Sequence, residues 1–227
     1  MAVSIKSPPP LENGDRLTRD EFERRYQVTP HNIKAELIEG VVTMASAVRA
    51  RQHGRPHAHI MTWLGTFEAA TPEVMALDNA TVRLDPENEP QPDALLRLES
   101  GVGGSSRLDE DDYVAGLPEL VVEVAGSSAS IDLHDKLRAY RRSGVAEYLV
   151  WQIAEASVSW FYLQRGSYLS LAPDTAGVIC SRIFPGLCLD VPALLAGEMA
   201  RVLAVLRRHL DSEAYREFVA GLERRRG

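Results

Sequence analysis

The hexapeptide "LVVEVA", residues 120–125, constrains this chain more than any other stretch. Its nearly unbroken β-branched run is the pattern of a central strand buried within a sheet, and a single carboxylate interrupts it where burial should be deepest. The segment that follows, "SIDLHDKLRAYRRSGV", sets Leu133, Leu137 and Tyr140 on one side of a helix that Ser143-Gly144 ends. "AEYLVWQI" then returns as a second strand. A strand, a helix folding back and another strand predict a parallel pair. "ASVSWFYL" and the strand after "QRGSY" extend it as an antiparallel meander, so the expected fold class is α/β with a mixed sheet.

The rest of the chain supplies helices around that sheet. Residues 1–16, with three consecutive prolines, read as an extended N-terminal arm. "LTRDEFERRYQ" is a helix opened by Thr18 with Glu21 in the capping-box position and Phe22 and Tyr26 on one face. "AELIEGVVTMAS" reads as a hairpin turning at Glu39-Gly40, and residues 55–70 as a helix carrying Ile60, Leu64 and Phe67. Short strands are expected at "VMAL", "ATVRL" and "PDALLRL", followed by an exposed, mobile loop at "GVGGSSRLDEDD". Trp63, Trp151, Trp160 and Phe161 read as core or sheet-face aromatics. The 227 residues, 45% of them hydrophobic, suffice for one large domain, taken as residues 17–197. Residues 198–227 follow as a helical C-terminal extension, with Met199, Val202, Leu203 and Leu206 apolar and a last helix starting at Ser212.

Composition removes several function classes. The N-terminus lacks an apolar signal core and no apolar run reaches a membrane span, so a soluble cytoplasmic protein without a membrane partner is expected. A net charge of -7 argues against coating nucleic acid through the overall field, while leaving room for a local basic groove. Cys180 and Cys188 read as buried, reduced thiols and lack linear zinc spacing. "LDEDD" lacks the oxygen spacing and central glycine of a calcium loop. No Gly-x-Ser-x-Gly elbow is present.

Glu123 is the carboxylate inside "LVVEVA", and burying it costs several kcal/mol unless it is paired or metal-bound. Asp93 opens another strand after a proline, and Glu36 begins a third. On neighbouring strands the three would make an oxygen-rich pocket suited to magnesium or manganese. Each also has a plain structural reading: Glu36 as a strand-end charge, Asp93 as a turn former, Glu123 as half of an ion pair. Lys136 lies one turn into the helix that folds back over Glu123, so its ammonium can approach the carboxylates, either as a structural bridge or to stabilise charge in phosphodiester hydrolysis. His53 and His57 have i, i+4 spacing without a third metal ligand, and Arg55 with His57 in "HGRPH" are candidate phosphate contacts or a helix cap. Asp132 reads as a first-turn acid, and Tyr140 either holds Lys136 or packs in the core.

The series "AELIEGVV", "HGRPHAHIMTWLG", "DNATVRLD", "EPQPDALLRL" and "PELVVEVAGSSASIDLHDKLRAYRRSGVAEYLVW" resembles the Uma-type family of proposed restriction endonucleases, a domain of unknown function within the PD-(D/E)XK nuclease-like superfamily. The likeness runs from about residue 17 to residue 195. It implies a restriction-endonuclease-like mixed sheet flanked by helices, and a metal-dependent endonuclease acting on nucleic acid, DNA above all. Pro92-Asp93 matches the Pro-Asp of the superfamily motif and Glu123 its second acid. Where the motif has a lysine two residues later this chain has Ala125, and the Uma-type pattern implies that Lys136 supplies the charge. Glu36 matches the early acid that completes a Mg2+ or Mn2+ site with Asp93 and Glu123, and the Val124 carbonyl would be a further ligand by analogy. Catalysis would then rest on Asp93, Glu123 and Lys136. Homodimers are common in the superfamily, and the C-terminal helices are a candidate interface. The rival reading is a non-catalytic binding or assembly module that keeps the nuclease fold, which the acidic charge and the lack of a DNA-reading domain favour.

Overall fold

The computed structural model describes residues 8–30, 33–44, 49–126 and 131–227. The first helix, α1 (Arg19–Tyr26), is capped by the Thr18 hydroxyl, which accepts from the Glu21 N–H, and buries Phe22. Strands β1 (Ala35–Ile38) and β2 (Val41–Met44) form the expected hairpin, with Glu39 and Gly40 both at positive φ as its tight turn. Leu11 is buried beside Phe22 and Leu37, so the chain ahead of α1 is packed down from that point onward. A π-helical turn at Ala50–Gly54 leads into α2 (Arg55–Ala70), which buries Ile60, Trp63, Leu64 and Phe67 on one face.

The main sheet has six strands. In chain order they are β3 (Val74–Asp78), β5 (Ala94–Leu98), β8 (Leu120–Ala125), β9 (Glu147–Gln152), β10 (Ser157–Gln164) and β11 (Ser167–Ser170), and in space β11-β10-β9-β8-β5-β3. β8 and β9 run parallel and every other neighbouring pair antiparallel, the mixed sheet that strand-helix-strand followed by a meander predicts. The crossover between β8 and β9 is a helix that begins as a π-helical stretch, Ile131–Lys136, and continues as α3 (Leu137–Ser143), ending at Gly144 with φ 100°. Asp132 lies outside the residues whose side chains are described.

A small three-stranded sheet joins β4 (Val82–Arg83), a strand expected from "ATVRL", to β7 (Val114–Gly116) and to β6 (Ser106–Leu108), which lies inside the segment where the sequence predicted a mobile loop. Glycine makes that order attainable. A Cβ on Gly104 would lie 2.1 Å from the Leu98 carbonyl oxygen, so only glycine lets this turn close against β5. Ser106 then satisfies the buried Arg97 guanidinium through its hydroxyl and its carbonyl, a polar demand invisible in a Gly/Ser-rich string. The acidic run after it neutralises Arg83 through Asp109 and Asp111.

A second hairpin, β12 (Val178–Cys180) with β13 (Cys188–Asp190), leads through α4 (Val191–Leu195) into α5 (Met199–Leu210) and α6 (Glu213–Arg226). Its register sets Cys180 opposite Cys188, Cα atoms 4.1 Å apart, and the two form a disulfide instead of the expected free thiols. Spacing along the chain hid the pairing because eight residues apart becomes directly opposite once the hairpin closes. Cys188 is buried and Cys180 exposed. The last two helices contribute Val202, Leu206, Tyr215 and Leu222 to the main core, alongside Trp63, Phe67, Trp160 and Phe184. Among the described residues no helix is long and apolar enough to cross a membrane.

Candidate active site

Strand alternation decides which side chains meet. Leu120, Val122 and Val124 of β8 face the main core, so Val121, Glu123 and Ala125 face the opposite layer, where Tyr140 and the crossover helix lie. In β5 the even positions Ala94, Leu96 and Leu98 belong to the main core, which leaves Asp93 on the face of Glu123. The β5–β8 register pairs Ala94 with Val122, and one further step sets Asp93 across from Glu123. Leu37 of β1 packs into the cluster beneath α1, which turns Glu36 the other way. Gln91 fixes that carboxylate by donating its backbone N–H to Oε1 at 2.6 Å.

Lys136, the last residue of the π-helical stretch, reaches into this layer. Its Nζ lies 2.9 Å from Glu123 Oε1 and 3.0 Å from Glu36 Oε1, with the lysine side chain 7% exposed. Tyr140, one turn on, gives its hydroxyl to the same Glu123 oxygen at 3.2 Å, holding the carboxylate and not the amine. π-helical turns recur at functional sites because the widened backbone re-aims a side chain, and here the widening ends at the lysine.

Asp93 is gripped separately. Its Oδ2 accepts the Val124 N–H at 2.7 Å, and its Oδ1 lies 3.2 Å from His53 Nε2. The His53 ring spans both partners, because its Nδ1 is 3.1 Å from the Val124 carbonyl oxygen. His57, stacked on His53 with centroids 5.7 Å apart, places Nε2 2.8 Å from the Asp93 carbonyl oxygen and 3.1 Å from Asp78 Oδ1. The i, i+4 histidines thus clamp one aspartate, one by its side chain and the other by its backbone. The sequence showed the pair without its target, which arrives from 36 residues away. Arg55 points elsewhere: it is exposed, and its guanidinium lies near Gly197. The structure therefore does not bring the two candidate phosphate contacts together.

Electrostatics follow this geometry. Burial works against the Asp93 carboxylate, but the His53 hydrogen bond and charge, the Val124 N–H and the Lys136 charge outweigh it and hold its pKa below the usual range. The hydrogen bond to Asp93 raises the His53 pKa against the cost of burial. Among the described residues Glu36, Asp93 and Glu123 do not bring three oxygens within 4.8 Å of one another, and Lys136 bridges two of them. Among the described residues, one ammonium set against three buried carboxylates leaves two negative charges over when His53 is neutral. A hard divalent cation on oxygen donors fits that deficit in charge and in chemistry.

The family model of Uma2, described as "Putative restriction endonuclease", matches residues 19–192. The chain belongs to the Uma2 family. A crystal structure titled a putative nuclease belonging to DUF820, from Anabaena variabilis ATCC 29413, superposes with a TM-score of 0.61 at 12% identity. The alignment covers 79% of this chain and 98% of that one, a likeness of nuclease-like fold. No curated protein matches the chain. For this Uma2 chain the matched span takes in every carboxylate of the site, Lys136 and the histidine clamp.

A cavity of about 430 Å3 adjoins the site through Gln91, lined also by Tyr26, Gln27, Arg83, Glu89 and Tyr113. Glu89 is 2% exposed with Oε2 unpartnered, and burial together with a hydrogen bond shared with Glu23 pushes its pKa up to about 8. Between the ordinary value of 4.5 and about 8 the folded protein keeps a proton that the unfolded chain has lost. Stability conferred by that proton is full below the lower value and declines as pH rises through the window, by on the order of a few kcal/mol. Glu89→Gln keeps a donor toward Glu23 and should flatten this decline and melt higher than the parent at pH 8. Parallel stability curves from pH 5 to 8 for the two proteins would refute the assignment.

Proposed function

We propose that this Uma2 protein is a metal-dependent endonuclease that hydrolyses phosphodiester bonds of DNA, with Glu36, Asp93 and Glu123 holding one Mg2+ or Mn2+ ion. The observation that carries the reading is Lys136, buried and within 3.0 Å of two carboxylates on a layer that also holds Asp93. When bound, such an ion polarises a phosphate oxygen and acidifies a water. The remaining work falls to the chain. Lys136 supplies a fixed positive charge against the charge that develops on the phosphate, in a site where burial strengthens it. Glu123 and Glu36 keep the ammonium on station, Tyr140 steadies the Glu123 carboxylate, and His53 holds Asp93 in one orientation. The Val124 carbonyl, the further ligand that the family resemblance implies, meets His53 Nδ1, so a metal held there would share that oxygen with the ring. A homodimer, one site per strand, is the assembly we propose for a cytoplasmic enzyme of this kind, and light scattering checks it.

The test pairs cutting with binding. Purified protein with Mg2+ or Mn2+ should cleave duplex or single-stranded DNA, and Asp93→Ala and Glu123→Ala should each abolish the cleavage. The divalent ion should also raise the melting temperature of the parent, by the equivalent of about 2.7 kcal/mol at a hundredfold excess over Kd, and leave the variants unmoved. No cleavage of any DNA or RNA together with a flat melting response would overturn the enzyme reading in favour of a binding or assembly module on the nuclease fold.

A further inference from the structure

Among the described residues, one set of histidine, cysteine and acidic side chains brings three ligand atoms within 4.8 Å of one another, and it lies far along the chain from the carboxylates: Cys180, Cys188 and His209. The two sulfurs are close because they are bonded. A disulfide has no need of an imidazole, so the third member asks for its own explanation. Val205, one turn before His209 on α5, packs with Val178 and Cys188, which fixes the helix face that covers the β12–β13 ribbon and delivers the ring to the sulfurs. Burial and then the neighbouring Arg208 charge lower the His209 pKa, with Asp174 opposing, a direction that favours the ligating, uncharged form of the ring. Cys180 is exposed, which opens the cluster to solvent and to reductants.

We propose that the reduced protein binds a zinc ion through Cys180, Cys188 and His209, and that oxidation to the disulfide closes this site. A dithiol reductant delivers two electrons to the S–S bond and becomes a disulfide itself, while its two protons pass to the Cys180 and Cys188 sulfurs. Those protons leave to solvent as the thiolates take the metal. Two thiolates and an imidazole select a borderline-soft ion such as zinc over magnesium, and three protein donors leave a fourth position for water. The ion would then tie the ribbon to α5, a link that the disulfide, confined to the ribbon, does not make.

The experiment uses the full chain, reduced anaerobically with a dithiol that is removed before Co2+ is added as a spectroscopic probe. The reduced protein should take up one equivalent with a thiolate-to-metal charge-transfer band and tetrahedral d–d bands, which zinc displaces and excess Mg2+ does not. The oxidised protein and the Cys180→Ser/Cys188→Ser double variant should show neither band. His209→Ala should bind at least tenfold more weakly, since even supporting groups around a metal are worth 10–100-fold. Reduced parent protein without a thiolate band, or His209→Ala binding as tightly as the parent, would overturn the proposal. A result at the carboxylate site leaves these bands unaffected, so the two assignments stand or fall separately.

Discussion

Lys136→Met is expected to lower cleavage by about 10²–10³-fold and to cost about 3–5 kcal/mol of stability, because it strips two buried carboxylates of the ammonium between them. Glu36 and Glu123 are 10% and 4% exposed in their side chains, so solvent cannot take over the role of the amine. The loss should therefore appear as a lower urea midpoint at neutral pH and shrink in acid as the carboxylates take up protons. A combined Glu123→Gln/Lys136→Met variant should recover much of the stability, since removing a buried charge together with its partner is far less costly than removing one. It should recover none of the cleavage. Equal urea midpoints for Lys136→Met and the parent would show that the lysine is not compensating buried charge.

Glu147→Ala should be the most damaging single change outside the site. The carboxylate opens β9 with no solvent exposure, and it accepts from Trp160 Nε1 at 3.1 Å, the Ser181 hydroxyl at 2.8 Å, the Arg182 N–H at 2.6 Å and the Ile183 N–H at 3.3 Å. Burial pulls its pKa upward against these donors. Alanine would take the acceptor from the buried Trp160 Nε1–H and from the half-buried Ser181 and Arg182 donors, while the Ile183 N–H keeps the Ser181 hydroxyl at 3.1 Å, at about 1–3 kcal/mol for each group left buried. The expected result is protein that fails to melt cooperatively, with Glu147→Gln intermediate because its amide still accepts through one oxygen. A cooperative transition for Glu147→Ala within 1 kcal/mol of the parent would contradict this role.

Glu147 and Glu123 differ in how far the sequence revealed them. Glu123 stood out because it breaks an apolar run, and its partner was within reach by counting one turn into the next helix. Glu147 sits at a strand end, where a charge looks ordinary, and three of its four donors come from residues 34–36 positions away that no local pattern connects to it. The central strand, the crossover helix and the meander were legible because hydrophobic period and turn chemistry are local. His53 on Asp93, Ser106 on Arg97 and the Cys180–Cys188 pair were not, because each depends on which segments the finished sheet brings side by side. The histidine spacing reads as a metal pair or as phosphate contacts, not as a clamp on a shared target. Only the fold names that target.

The place of α6 in the core has a consequence for biosynthesis. Tyr215 and Leu222 close the same apolar layer as Trp63, Phe67 and Phe184, although they are made more than 140 residues after the first of these. Until α6 has left the ribosome, α2 and the back of the sheet hold an uncovered hydrophobic face. The nascent chain is then exposed to misassembly and dependent on chaperones for longer than a domain that closes from its N-terminus. A tag or fusion that delays docking of the last helix should lower soluble yield even though it lies far from every carboxylate of the site.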